Sequence, residues 1–176
     1  VDEGLLEVEF HKLTGREGPG SGRPTKHYRR AEREVAVLLP ARQYDLLSRI
    51  LANAVAGSLA ENAPVADLAS KFAYAEGKAF GRSRGSASGD DLIRVAAALA
   101  ETGYEPRQES RSDEEEVLTL HNCPFHKAAA EQTDLVCGLN LDFVTGVCAG
   151  LDARSVEASL QPEQGRCCVT LASTVS

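Results

Sequence analysis

Three absences limit what this chain can be. Its 176 residues include no methionine at all, and no cysteine occurs before position 123. The chain also lacks the run of about 18 apolar residues that is needed to span a bilayer. We therefore expect no transmembrane segment. Because position 1 is a valine, we also expect the chain to be a fragment or a processed product, with further residues upstream.

The familiar sequence signatures of catalysis are missing as well. No Cys-x-x-Cys pair occurs, the glycines at 15, 18, 20 and 22 do not form a phosphate-binding loop, and no Ser, His and Asp arrangement suggests a nucleophile. We predict that the protein is not an enzyme. No charged-then-apolar leader opens the chain and its cysteine count is odd, which disfavours disulfides and predicts a cytoplasmic protein with reduced thiols.

Charge is distributed unevenly along the chain. The net charge is −7, yet residues 11–30 carry six Lys and Arg against a single acid, Glu17. A Gly- and Pro-rich stretch at 14–24 separates two short extended segments, 5–10 and 26–31, which predicts a β-hairpin with a basic tip. Such a tip suits contact with DNA phosphates, and a solvated loop is the alternative. The candidate DNA-binding residues are Lys12, Arg16, Arg23, Lys26, Arg29 and Arg30.

Two amphipathic helices are predicted after Pro40, over residues 41–59 and 65–80, from apolar residues spaced by three and four. We interpret the apolar stripe of the first helix as either core or the interface of a homodimer. The stripe consists of Tyr44, Leu47, Leu51, Val55 and Leu59. A Gly- and Ser-rich stretch at 81–89 follows and is predicted to be a linker.

The remainder predicts an α+β fold, with helices on one face of an antiparallel sheet. Asp90 is the expected N-cap of a helix ending near Glu101, and a helical region interrupted near Asp134 is expected later. The predicted strands span 104–110, 117–121, 156–160 and 167–171. The helical region spans 124–150. The predicted organisation is a hairpin at 1–36, a helical linker or dimerisation region at 37–85, and a cysteine-containing domain at 86–176.

All five cysteines lie in the last third of the chain, which predicts a metal or iron–sulfur site. A helix break near Thr133-Asp134 would bring Cys123 and Cys137 together. Cys167 and Cys168 are expected on one strand, where side chains alternate between faces, so only one should point inward. The predicted ligands are Cys123, Cys137, Cys167 and His126, with Cys168 as the alternative to Cys167. Cys148, three helical turns from Cys137, is interpreted as a small buried apolar residue.

Segments in the N-terminal and the C-terminal parts of the chain resemble known families of bacterial regulators. Residues 3–8 and 20–28, which include Gly22-Arg23-Pro24 and Tyr28, resemble the wing of winged helix-turn-helix regulators related to the ArsR and DeoR groups. Asn122-Cys123-Pro124-Phe125, residues 135–137 and residues 165–169 resemble the C-terminal sensor domain of the iron–sulfur biogenesis repressors of the Suf operon type.

The resemblance implies a dimeric bacterial transcription factor that binds double-stranded DNA. It also implies that residues 1–36 are the wing and return strand, and that an iron–sulfur cluster held by the C-terminal cysteines alters the affinity for the operator. Zinc is the alternative cofactor. The alternative functions are a regulator stabilised by zinc or sensing a small ligand, and an interaction module that does not bind DNA.

Overall fold

The computed structural model describes residues 6–11, 25–32, 39–85, 89–110 and 116–174, and the chain divides into two compact units, Val1–Val37 and Leu38–Ser176. The first unit contains β1 (Leu6–His11) and β2 (Thr25–Arg30), which pair in antiparallel register with Val8 opposite Tyr28. A hairpin in this region was therefore correctly predicted, and its tip lies outside the described residues.

The second unit contains five helices and four strands within its described part. The helices are α1 (Tyr44–Glu61), α2 (Val65–Ser83), α3 (Asp91–Glu101), α4 (His126–Glu131) and α5 (Thr133–Gly150). The strands are β3 (Pro106–Ser110), β4 (Glu116–Leu120), β5 (Val156–Leu160) and β6 (Val169–Ser173). The predicted α+β class is confirmed.

The four strands form one antiparallel sheet in the order β3-β4-β6-β5. Alternate residues of the two central strands, Leu118 and Leu120 on β4 and Val169 and Leu171 on β6, belong to the buried core. Helices α3 and α5 contact this sheet and supply the facing apolar side chains. Asp90 caps α3 as expected, because its carboxylate accepts a hydrogen bond of 3.0 Å from the Ile93 amide.

Helix α2 packs along α5 through glycines on both helices. A Cβ at Gly77 would lie 2.0 Å from the Phe143 carbonyl oxygen, and one at Gly146 would lie 2.2 Å from that of Tyr74. Gly81 and Gly150 approach each other in the same way. Only residues without a side chain allow two backbones this close, so the glycines set the distance between the helices.

This contact changes two expectations about the middle of the chain. Helix α2 continues through Gly81 to Ser83, where a linker was predicted to begin, because Gly81 is held against α5. The helical region at 37–85 and the cysteine-containing region at 86–176 were treated as separate parts. In the structure residues 38–85 and 86–176 belong to the same compact unit, the second.

Helix α1 buries a face that is rotated from the predicted stripe. Its buried residues are Leu46, Leu47, Ile50 and Ala54. Of the predicted stripe, Leu47 is buried and Leu51 is half-buried against the core, whereas Val55 is 48% exposed and Leu59 is 84% exposed. None of the helices in the described part of the chain is long and apolar enough to cross a bilayer.

Candidate functional site

Four cysteine side chains meet at one half-open pocket of the second unit. Cys123 precedes α4, Cys137 lies in the first turns of α5, and Cys167 and Cys168 precede β6. The pocket has a volume of about 210 Å³, and His126 also lines it. Every residue that the sequence suggested as a ligand or alternative ligand is therefore brought to a single place.

The loop that carries Cys123 is fixed by polar contacts with the segment before α1. Arg42 donates from Nη1 to the Asn122 Oδ1 at 2.5 Å and to the Cys123 carbonyl oxygen at 2.8 Å. The buried Asn122 amide donates in turn to the carbonyl oxygens of Ala41 and Gly103. These contacts hold Cys123 at the pocket although it lies outside regular secondary structure.

Cys167 and Cys168 lie before β6, and this corrects the expectation that they alternate on a strand. The strand begins at Val169, and the backbone amide of Cys167 donates to the Leu120 carbonyl oxygen at 2.7 Å. Strand alternation does not apply to a segment outside the ladder. Both side chains are buried and both line the pocket, so Cys168 joins Cys167 and does not merely replace it.

The break between the helices lies at Gln132, between α4 and α5, one residue before the predicted point near Thr133. It lets the chain turn between Cys123 and Cys137. Cys148 lies further along α5, buried and away from the thiol pocket, and burial raises its pKa to about 12. A thiol that stays protonated in an apolar environment is a poor ligand.

The thiols at the pocket influence one another's ionisation. Interaction with the thiols of Cys123 and Cys168 lowers the pKa of Cys167, and the Val169 amide and the Asn140 side chain act in the same direction. Interaction with Cys167, followed by burial, raises the pKa of Cys123 and likewise that of Cys168. The ionised form is therefore favoured at Cys167 over Cys123 and Cys168.

The buried side-chain amide of Asn140, which the sequence interpretation missed, hydrogen-bonds to Cys167. Asn140 is 1% exposed, and its Nδ2 donates to the Cys167 sulfur at 3.0 Å. Its Oδ1 accepts from the buried Tyr104 hydroxyl. A polar residue between Leu139 and Leu141 on a buried helix could have indicated such a partner, because buried amides are almost always hydrogen-bonded.

The donor set fits a thiolate-ligated cofactor by residue type. Four thiols with a nearby imidazole are the ligands used for iron–sulfur clusters and for tetrahedral zinc. Within the described part of the chain, however, no three or more His, Cys, Asp or Glu side chains are grouped in a way that would hold a metal ion. Ligation by these thiols would therefore require their side chains to move from the positions that they have in the structure.

The hairpin presents two different faces. Ion pairs place Arg29 with Glu7 at 2.5 Å and with Glu9 at 2.8 Å, and His11 also contacts Glu9. The other face, set by strand alternation, carries Lys26 and Arg30 beside the apolar residues Leu6, Val8, Phe10 and Tyr28.

Of the six predicted DNA-binding residues, Lys12, Arg16 and Arg23 lie outside the described residues. Lys26, Arg29 and Arg30 are all exposed on β2. Arg29 is partly neutralised by two carboxylates, which weakens the argument for it as a phosphate contact. Lys26 and Arg30 are the better candidates within the described part of the hairpin.

Comparison with protein-family models, with curated proteins and with solved structures found no significant match for the chain.

Proposed function

We propose that this chain is a bacterial transcriptional regulator that binds operator DNA as a homodimer and holds an iron–sulfur cluster on its C-terminal cysteines. Cluster binding changes the affinity for DNA. Cys123, Cys137, Cys167 and Cys168 are the proposed ligands, and His126 is the substitute ligand on the same pocket. The cluster would supply sensitivity to iron supply or oxidation.

The observation that carries the proposal is the meeting of four thiols from three separate segments of the chain. The pocket is open on one side, so a cofactor can enter it. The lowered pKa of Cys167 favours its thiolate, and the thiolate is the form that binds metals.

The DNA-binding part of the proposal is supported by two observations. It is supported by the resemblance of residues 20–28 to a wing and by the exposed Lys26 and Arg30 on β2. The connection between the two functions is supported by Arg42, which joins the start of the helical region to the Cys123 loop. A change at Cys123 would be transmitted to the segment that leads into α1.

The test is anaerobic reconstitution of the chain with iron and sulfide, followed by visible absorption and metal analysis. We expect a coloured protein, and we expect the Ser variants of Cys123, Cys137, Cys167 and Cys168 each to lose colour, because a missing thiolate leaves the ligand shell incomplete. Cys148→Ser is the matched control and should keep its iron. Affinity for duplex DNA, measured with and without the cofactor, tests the regulatory step.

The outcomes separate the alternatives. A colourless protein that binds zinc stoichiometrically through the same four cysteines would replace the cluster with a structural metal. A protein that binds neither metal in any preparation would remove the sensor proposal. Loss of iron from Cys148→Ser as large as that from Cys137→Ser would show that the variants act through general destabilisation.

A further inference from the structure

A second cavity lies beside the thiol pocket. Its volume is about 220 Å³, and its lining is rich in cations and hydrogen-bond donors with no carboxylate among the lining residues. The lining consists of Arg42, His121, Asn122, Cys123, His126, Gly165 and Arg166. Cys123, His126 and Arg166 line both pockets and form the wall between them.

Among the residues of this lining, Arg166 gives the clearest indication of a missing hydrogen-bond acceptor. Its side chain is only 11% exposed, and its Nη2 pairs with the Glu163 carboxylate at 2.6 Å. Its Nε is buried and has no hydrogen-bond partner in the described part of the chain. Glu163 is 66% exposed and does not line the second cavity. A buried guanidinium N–H without a hydrogen-bond acceptor lowers the stability of the folded protein, and an acceptor that binds there removes this penalty.

The other donors are held in place by the protein. Arg42 is fixed through Nη1 by Asn122 and by the Cys123 carbonyl oxygen. The His121 Nε2 lies 3.2 Å from the Thr119 hydroxyl and 3.8 Å from a Glu109 carboxylate oxygen, so one acid approaches from outside the lining. Two guanidiniums therefore line the cavity, whereas the two acids that pair with its residues, Glu109 and Glu163, are exposed and do not line it.

We propose that this cavity binds a small oxyanion, namely a phosphate or carboxylate group of a small molecule. Guanidiniums are suited to such groups because their planar fork makes charge-assisted hydrogen bonds to two oxygens. The volume is below the roughly 300–1,000 Å³ of pockets that enclose drug-sized ligands, so it suits a single anionic group. The site is a second ligand site that goes beyond the proposed cofactor, and anion binding does not require the cofactor.

The experiment is calorimetric titration of the reduced, cofactor-free chain with sodium phosphate and, separately, with sodium malonate, at constant ionic strength. We expect at least one of them to bind. Arg166→Gln should weaken that binding about tenfold or more, because a charge-assisted bond is lost. Arg154→Gln is the matched control, since Arg154 is 86% exposed and is paired with Asp152 elsewhere on the surface.

Each outcome decides for or against the site. Binding of phosphate alone or of malonate alone supports the proposal and identifies the class of anion. Absence of binding by both overturns it, as does an equal loss of affinity in Arg154→Gln, which would indicate general charge attraction.

Circular dichroism checks that each variant is folded. If Arg166→Gln does not fold, His121→Ala replaces it with an expected loss of about fivefold, and unchanged affinity in that variant overturns the site. Because cofactor is absent throughout, failure of the cluster proposal would leave this result standing.

Discussion

At the scale of single residues, Asn140 connects the hydrophobic core to the thiol pocket. Its amide lies between the Tyr104 hydroxyl and the Cys167 sulfur, and both Asn140 and Tyr104 are buried. Because the Tyr104 hydroxyl is the donor to Oδ1, the Nδ2 group is turned toward sulfur. The N–H donor favours the ionised form of Cys167, which links a core contact to the chemistry of the site.

We predict that Asn140→Leu destabilises the chain by about 1–3 kcal/mol, because the buried Tyr104 hydroxyl is left without its acceptor. Urea unfolding followed by circular dichroism measures the free energy. The same change should raise the pKa of Cys167, which loses a donor, and titration of the thiolate absorbance measures this.

Asn53→Leu on the exposed surface of α1 is the control, and it should change neither quantity by more than about 0.5 kcal/mol or its pKa equivalent. Equal stability of Asn140→Leu and the native chain would mean that Tyr104 finds another partner.

The residue types at the site could be predicted from the sequence, but their supports could not. Cys123, Cys137 and Cys167 stand out because thiols are few and clustered. Asn122 and Arg42 are common residue types, and their role depends on a contact across 80 positions of the chain. Local patterns do not contain information about such contacts.

At the scale of secondary-structure elements, the pairing of α2 with α5 is the largest helical contact of the second unit. Two glycines on each helix allow it. Tight packing of this kind is intolerant of added volume because neighbouring backbone cannot rotate out of the way as a side chain can. The α2–α5 pair therefore acts as a rigid support for Cys137, which lies on α5.

Gly146→Ala should lower the free energy of unfolding by about 3 kcal/mol or more, because the new methyl group meets the Tyr74 carbonyl oxygen. Gly138→Ala is a matched control on the same helix, since a Cβ there meets nothing within 4 Å. That change should raise stability by up to about 1 kcal/mol through helix propensity. Denaturant unfolding of both variants tests the pair, and a similar response in both would contradict the packing argument.

Element positions were predicted best where the signal is local. Strand β5 matches the predicted residues 156–160, and α3 begins at the Asp90 cap. The end of α2 was missed because Gly81 indicates a linker by composition, whereas its contact with α5 keeps it helical. The strand at Cys167 was placed two residues early, because the regular strand begins at Val169 although backbone hydrogen bonds already join Cys167 to Leu120 and Gln161 to Cys168.

At the scale of the whole molecule, the outer surface of α1 carries two exposed apolar side chains, Val55 and Leu59. Leu59 is 84% exposed, and Val55 lies one turn before it on the same side. Leu51, a turn earlier, is half-buried against the core and would report on folding if changed. Leu59 is therefore the better position at which to test the proposed homodimer.

We expect Leu59→Glu to stay folded and to be monomeric where the native chain is dimeric, as measured by analytical ultracentrifugation with circular dichroism. Leu160→Glu, on strand β5 and 43% exposed, is the control and should remain dimeric. In a two-fold dimer each subunit contributes the same surface, so one substitution introduces two charges into the interface and its effect counts twice. A native chain that is monomeric at all concentrations would contradict the homodimer, and a dimeric Leu59→Glu would move the interface away from α1.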